Sequence, residues 1–392
     1  MNAEQSSAQT WSSIRRVLLQ FHLWIGIAFS IPFVILGVTG AYLVYDQDFT
    51  APPRATAVGE YKAPMAIIGA ALATAPEPRA TSLSMPLAAG DPATVRVARG
   101  GGEGERPITS QVFIDPVSLE VLGTREGIRT PVSDLMHGLH GSFSLGGRTG
   151  RPIVGWMGVG MTFLGVTGLM LWWPRKSTWK NSLGITRNAR GAVWHRQLHQ
   201  TVGVFGWVAF IAVSFTGVAI SFPQTHTAAF QGLFGGDPPQ ERIGSIEPVA
   251  NTAAIDADQA VALAQKAAPG AHLSSLNIPG DADEPYRINL IADNALAGAP
   301  VISAVVDPYR TEVVQVRDPR TYRLGDTLMA WQRTVHDGRA WGPIWAFLVF
   351  FSGLMPPLFV VTGTAMWWLK RRARQHVRAQ QQTTGAVGVP AE

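Results

Sequence analysis

Two short stretches carry residues that could do chemistry. FHLWIG (21–26) and LHQTVG (198–203) each set a histidine just inside an uncharged apolar run, with a glycine four positions on. His22 lies six residues beyond Arg16, about 9 Å along a helix; His199 lies three beyond Arg196. Both therefore approach the inner third of a bilayer, where a lone polar side chain costs a few kcal/mol unless it faces a partner. Two related histidines at one depth can face each other, and a planar iron porphyrin fits between two neutral imidazoles that each give a nitrogen to iron. A glycine one turn along, Gly26 or Gly203, removes a side chain where that ring passes. His140 and His336 form a parallel outer pair, each preceding an apolar run by a few polar residues, and a second haem between them is the matching inference.

His137 and His195 are each one helical turn from a proposed ligand, and either could replace it or bond a propionate. His199 ranks above His195 because it has a repeat partner and lies deeper. His140 ranks above His137 because LH (139–140) aligns with VH (335–336). Arg148, Arg151 and Arg339 stand near the outer pair and could neutralise haem propionates or serve as interfacial anchors. Zinc or copper could use His140, His336 and His137, although paired histidines amid glycine and aromatic residues favour a large flat ligand. The chain has no cysteine, so thiol catalysis, disulfides and cysteine-ligated clusters are excluded, and any haem is non-covalent haem b. Of the remaining histidines, His272 and His376 read as solvated, and His226, at the outer end of the third run, is assigned no role either way.

The elements that must position these side chains are four uncharged runs, Val17 to Tyr45, Pro152 to Trp173, Thr201 to Pro223 and Gly342 to Leu369. Each exceeds the roughly 20 helical residues that cross a hydrocarbon layer, and a helix satisfies its own backbone in lipid. The expected class is a membrane α-helical protein with four transmembrane helices. Basic residues concentrate in the N-terminal tail (1–16), the loop at 174–200 and the tail at 370–392. These three segments are therefore expected in the cytoplasm, with 46–151 and 224–341 outside. The net charge of +5 reflects that inner face and gives no reason to expect a nucleic-acid partner. The first run, 17–45, is too long for a cleaved signal and is not followed by a small-residue cleavage site.

The chain also repeats itself. His22, Gly26 and Thr39-Gly40 recur 177 positions later as His199, Gly203 and Thr216-Gly217. QVFIDPVSLEVLG (111–123) recurs at an offset of 192 as AVVDPYRTEVVQV (304–316), and both read as strand, Asp-Pro turn, strand. His140, Thr167-Gly168 and Trp172-Trp173 recur as His336, Thr362-Gly363 and Trp367-Trp368 at offsets of 195 or 196. Each half thus reads as span (17–45 or 201–223), external α+β domain, histidine, span (152–173 or 342–369), with a pseudo-two-fold axis along the membrane normal. The tryptophan pairs suit the headgroup layer. A weak helical stretch around Ala71 and Pro76 and a flexible loop at ARGGGEGERP (98–107) complete the first external segment. Asp115 and Asp307 read as turn formers, and no catalytic acid or base is needed. Tyr309, Trp331 and Trp341 could line a substrate space or aid transfer, with interface packing the simpler role. No strand–GxGxxG–helix unit offers a site for NAD or flavin.

FHLWIG, the TG-bearing spans, the WWPRK end and the Asp-Pro strand turns together resemble the PepSY-associated transmembrane family over about residues 15 to 373. Within it, the chain is most similar to the inner-membrane ferric-siderophore reductases. The resemblance implies a four-span protein of the bacterial inner membrane with periplasmic PepSY-like domains, bound haem b and reduction of iron in an imported ferric siderophore; with the two histidine pairs, the working expectation is two haem b groups fed by a cytoplasmic or quinol electron donor. Two other readings stay open: haem-dependent delivery of electrons to a different periplasmic acceptor, and a non-enzymatic membrane protein whose PepSY-like domains bind peptides or proteins.

Overall fold

The computed structural model describes residues 2–74, 78–100, 107–174, 179–237 and 241–386. Pro76, most of the ARGGGEGERP loop, and Arg175 and Lys176 of WWPRK lie outside these residues. The chain begins with helices α1 (Asn2–Ala28), α2 (Ser30–Val44), α3 (Asp46–Phe49) and α4 (Pro64–Leu72). Strands β1 (Arg79–Ser84), β2 (Ala93–Arg99), β3 (Ile108–Ile114) and β4 (Val121–Glu126) follow. Next come α5 (Pro131–Ser142), α6 (Gly147–Trp172), α7 (Trp179–Ser182), α8 (Gly191–Phe205), α9 (Trp207–Ser221), α10 (Pro223–Phe234) and α11 (Ala257–Ala267). The chain continues with β5 (Ala271–Asn277), β6 (Tyr286–Ala292), β7 (Ile302–Asp307) and β8 (Glu312–Arg317), then α12 (Leu324–His336) and α13 (Pro343–Ala386). Two compact units result. One is helical (Met1–Tyr45, Leu135–Pro223, Val335–Glu392); the other carries the strands (Asp46–Asp134, Gln224–Thr334).

In the helical unit, α6 and α13 are long and apolar enough to cross a membrane. The runs at 17–45 and 201–223 are not straight helices. Each belongs to a pair, α1 with α2 and α8 with α9, bent by 70° and 68°. The breaks fall at Phe29 and Gly206, which are repeat equivalents. Both leave helical dihedrals for the bridge region, Phe29 at φ −105°, ψ 18° and Gly206 at φ −89°, ψ 0°. The flanking hydrogen bonds repeat as well: Phe29 and Gly206 donate to Ile25 and Val202, and accept from Phe33 and Phe210. A Cβ on Gly206 would lie 2.5 Å from the Met355 sulfur, so the methionine end would have to move aside for any larger residue. Phe33, Phe210, Met161 and Met355 form the buried centre of this unit. Ile25, Val202, Met157, Phe351, Leu164 and Phe359 surround it, and Phe33 with Phe210, Ile25 with Val202, and Leu164 with Phe359 stand at the repeat offsets.

In the strand unit, the segments 46–134 and 224–334 do not build separate sheets. One antiparallel sheet runs β4-β3-β2-β1-β5-β6-β7-β8. Its two meanders join where Ser82, Leu83 and Ser84 of β1 pair with Asn277, Leu276 and Ser275 of β5. A single core follows from that seam. Ile67, Ile68 and Ala71 of α4 and Ala260, Val261 and Ala264 of α11 belong to one cluster with Leu83, Val95, Ile114, Leu276, Ile288 and Val306. Burying each large aliphatic side chain contributes about 1.5–3 kcal/mol. A capping box starts α11, with Asp256 accepting from the Gln259 amide and Gln259 accepting from the Asp256 amide.

Both Asp-Pro hairpins form as the alternation predicts, with Leu119 and Thr311, again equivalents, at φ 64° and 56°. Asp115 is buried and accepts from four amides, those of Val117, Ser118, Thr56 and Ala57, at 2.9–3.1 Å. Burial pushes its carboxyl up, but the four amides outweigh burial and hold it at about 2. Asp307 accepts from the Tyr309 and Arg310 amides and from the Arg310 guanidinium. These contacts likewise lower its carboxyl against the opposing push of burial. The two aspartates pin turns, which is the role their sequence context suggests.

Candidate functional site: two histidine pairs

The helical unit brings the four nominated histidines together two by two. His22 on α1 faces His199 on α8 with ring centroids 6.4 Å apart and planes at 67°. His140 on α5 faces His336 on α12 at 6.0 Å and 46°. Leu135 to Ser142 of α5 and Val335 and His336 of α12 fall in the helical unit.

Each ring is held by a threonine on another helix. His22 Nδ1 lies 2.9 Å from Thr167 Oγ1 on α6, and His199 Nδ1 lies 2.8 Å from Thr362 Oγ1 on α13. His140 Nδ1 lies 3.2 Å from Thr39 Oγ1 on α2, and His336 Nδ1 lies 3.1 Å from Thr216 Oγ1 on α9. The four bonds are two repeat-related sets. The second pair has a further anchor: His140 Nδ1 lies 3.1 Å from the Leu36 carbonyl, and His336 Nδ1 lies 3.0 Å from the Val213 carbonyl.

The glycine after each threonine clears room for the imidazole edge. A Cβ at Gly40 would stand 2.8 Å from His140 Cε1, and one at Gly217 3.0 Å from His336 Cε1. The same test at Gly168 and Gly363 gives 3.4 Å to His22 and 3.9 Å to His199. Gly26 and Gly203 behave differently. A Cβ on Gly26 meets nothing within 4 Å, and one on Gly203 meets only Phe359 at 3.7 Å. Protein packing does not require glycine at either position.

The lower-ranked histidines take other positions. His195 lies one turn before His199 with its ring 5.0 Å from Trp194, and its buried Nδ1 has no hydrogen-bond partner among the described residues. His137 is half-buried on α5, one turn before His140. Of the nearby arginines, Arg151 donates to the Ile220 carbonyl and Arg339 pairs with Asp337, while Arg148 is exposed. Trp341 packs edge-on against Trp345 at 5.2 Å, and the Tyr309 amide serves the Asp307 turn. Among the described residues no three His, Asp or Glu side chains converge as a metal-binding group, so the zinc or copper trio of His140, His336 and His137 does not assemble.

The family described as the PepSY-associated TM region matches the chain over residues 19–370. The chain belongs to that family. No curated protein matches it. As a PepSY-associated transmembrane chain it is a membrane protein, with two helices that can span, or up to four when each bent pair counts as one span. The matched region takes in both histidine pairs and the four threonines that face them, Thr39, Thr167, Thr216 and Thr362.

The threonines are the site residues that sequence reasoning missed. Their signal was present, because Thr-Gly recurs at the same offsets as the histidines. A helical threonine usually bonds back to its own i−4 carbonyl, which hides any second role.

Proposed function

We propose that the chain is a di-haem b oxidoreductase of the bacterial inner membrane that reduces the iron of a ferric siderophore on the periplasmic side. In this reading four spans form two pseudo-two-fold repeats, both termini are cytoplasmic, and the strand unit carries the periplasmic PepSY-like segments. His22 with His199 would hold the inner haem, and His140 with His336 the outer one.

The spacing of the two pairs carries the reading. Two histidines that shared one metal ion, each nitrogen about 2 Å from it and about 1 Å from its own ring centre, would have ring centroids about 6 Å apart. The pairs stand at 6.4 and 6.0 Å. Gly26 supports a flat group beside the first pair, because its missing side chain leaves space that no protein atom fills. The chemistry a bound haem supplies is one-electron cycling between ferric and ferrous iron.

The rest falls to the chain's own residues. The four histidines offer neutral nitrogens, the threonines orient them, and the Phe33–Phe210–Met161–Met355 core fills the bundle with apolar side chains. One electron per iron enters from a cytoplasmic or quinol donor and converts Fe(III) of the siderophore to Fe(II). Fe(II) binds hard oxygen ligands more weakly, so the metal leaves an intact chelator. No proton transfer is required of the protein, in keeping with Asp115 and Asp307 being committed to turns. The substrate class rests on the resemblance to ferric-siderophore reductases.

The test is to reduce the detergent-purified protein, add a ferric hydroxamate siderophore, and follow a ferrous-specific chelator. The proposal expects ferrous chelate to form at the rate at which the protein reoxidises. Reoxidation by copper or by a periplasmic redox protein, but not by the siderophore, would move the assignment to another acceptor. A colourless preparation would leave the peptide-binding reading.

A further inference from the structure

The hydroxyl of each of the four threonines that face a histidine is oriented by its own helix. Thr167 donates to the Phe163 carbonyl at 2.8 Å and Thr362 to the Leu358 carbonyl at 2.8 Å. Thr39 donates to the Ile35 carbonyl at 2.6 Å and Thr216 to the Ala212 carbonyl at 2.7 Å. With that hydrogen committed, each threonine oxygen can only accept from the imidazole, so the ring nitrogen facing it must carry the proton. In the second pair, the Leu36 and Val213 carbonyls make the same demand independently, because a carbonyl has nothing to donate.

We propose that Thr39, Thr167, Thr216 and Thr362 are positioning residues that lock the four imidazoles in the Nδ1–H tautomer, leaving Nε2 as the lone-pair nitrogen before any ligand arrives. A histidine that ligates a metal commonly donates its other N–H to an oxygen, which fixes the ring and raises its basicity. Here that oxygen is supplied by the fold itself, twice over in one pair and once in the other. The difference yields a specific consequence. Replacing threonine by valine, which keeps the shape and removes the oxygen, takes away the one Nδ1 bond that His22 and His199 each make among the described residues. The same change beside His140 and His336 leaves a carbonyl acceptor in place.

The lock itself does not depend on the haem reading; only its effect on haem affinity does. The first experiment therefore uses the full chain, labelled with ¹⁵N-histidine and purified without haem, and reads ring-nitrogen shifts at neutral to mildly alkaline pH. In the wild type the four site histidines should show protonated Nδ1. Thr167→Val and Thr362→Val should give a mixture of tautomers at His22 and His199, Thr167→Ser should restore the lock, and Thr39→Val and Thr216→Val should keep it. A wild type with protonated Nε2 overturns the proposal without any variant having to fold. So does a Thr167→Val protein whose His22 still shows Nδ1–H.

Haemin titration is the second experiment. Thr167→Val should weaken binding at the first pair about 10- to 100-fold, with a smaller loss for Thr39→Val at the second. Equal losses at both sites, or none at the first, would contradict the lock. If the tautomers follow the pattern and no haemin binds, the haem reading falls and the lock stands.

Discussion

The two histidine pairs look alike in sequence and are held differently. His22 and His199 each have one threonine at Nδ1, loose contact with a glycine, and ring planes at 67°. His140 and His336 each have a threonine and a main-chain carbonyl, tight contact with a glycine, and planes at 46°. Within each pair the repeat preserves the restraint, Leu36 matching Val213 and Gly40 matching Gly217; the difference lies between the two pairs, which are not repeats of each other. The firmness comes from the geometry of the helix that receives it. For the second pair the receivers are α2 and α9, the helices that follow the two breaks.

The largest effect expected from this contrast is loss of a ligand. His22→Ala or His199→Ala should remove one of two haems and spare the other, and His140→Ala or His336→Ala should do the converse, as read by haem-to-protein ratio. Loss of the first-pair haem in His195→Ala with His199→Ala unaffected would reassign that ligand. The next effect is steric. Gly40→Ala and Gly217→Ala put a methyl group 2.8 and 3.0 Å from an imidazole carbon, an overpacking that costs about 1–3 kcal/mol. Haem retention at the second pair should fall, and thermal unfolding should shift down. Gly363→Ala, at 3.9 Å, should be nearly silent in both measurements. Equal responses from Gly217→Ala and Gly363→Ala would erase the distinction drawn between the pairs.

Gly26→Ala sharpens the contrast from the other side. No contact within 4 Å of the added methyl arises among the described residues, so stability should hold while haem retention at the first pair drops. Unchanged haem content would mean that the open space has no bearing on the ligand.

The smallest effect serves as a control in the strand unit. Asp115→Asn weakens the charge-assisted bonds from four backbone amides and should lower stability by about 1–3 kcal/mol, with both haem spectra unchanged. The folded carboxyl sits at about 2 against a usual 3.8. Its contribution is therefore complete above about pH 4 and is lost as the pH falls through 2. The wild-type advantage over Asp115→Asn, followed by chemical denaturation, should shrink across that window. An advantage that grows toward acid would have the wrong sign.

Much of this was legible in the sequence, for identifiable reasons. The uncharged runs, the histidine partners and the Asp-Pro hairpins are local patterns with fixed offsets, and the helices and strands follow them. The breaks at Phe29 and Gly206 were not legible, because the runs stay apolar through both positions and phenylalanine is no helix breaker. The single sheet was hidden for another reason: the β1–β5 seam pairs polar-edged strands nearly 200 residues apart, and nothing local marks which edge meets which. The threonine lock lay between these cases, visible as a repeat and silent as chemistry until its hydroxyls were seen bonded on both sides.

The most direct measurement of the central claim is the haem stoichiometry of the full chain, expressed with ample iron and haem precursor and assayed by pyridine haemochrome. The account predicts two haem b per polypeptide, both low-spin with two nitrogen ligands by electron paramagnetic resonance. A protein that folds and carries no porphyrin, or whose iron signal is that of a single-histidine site, would contradict it.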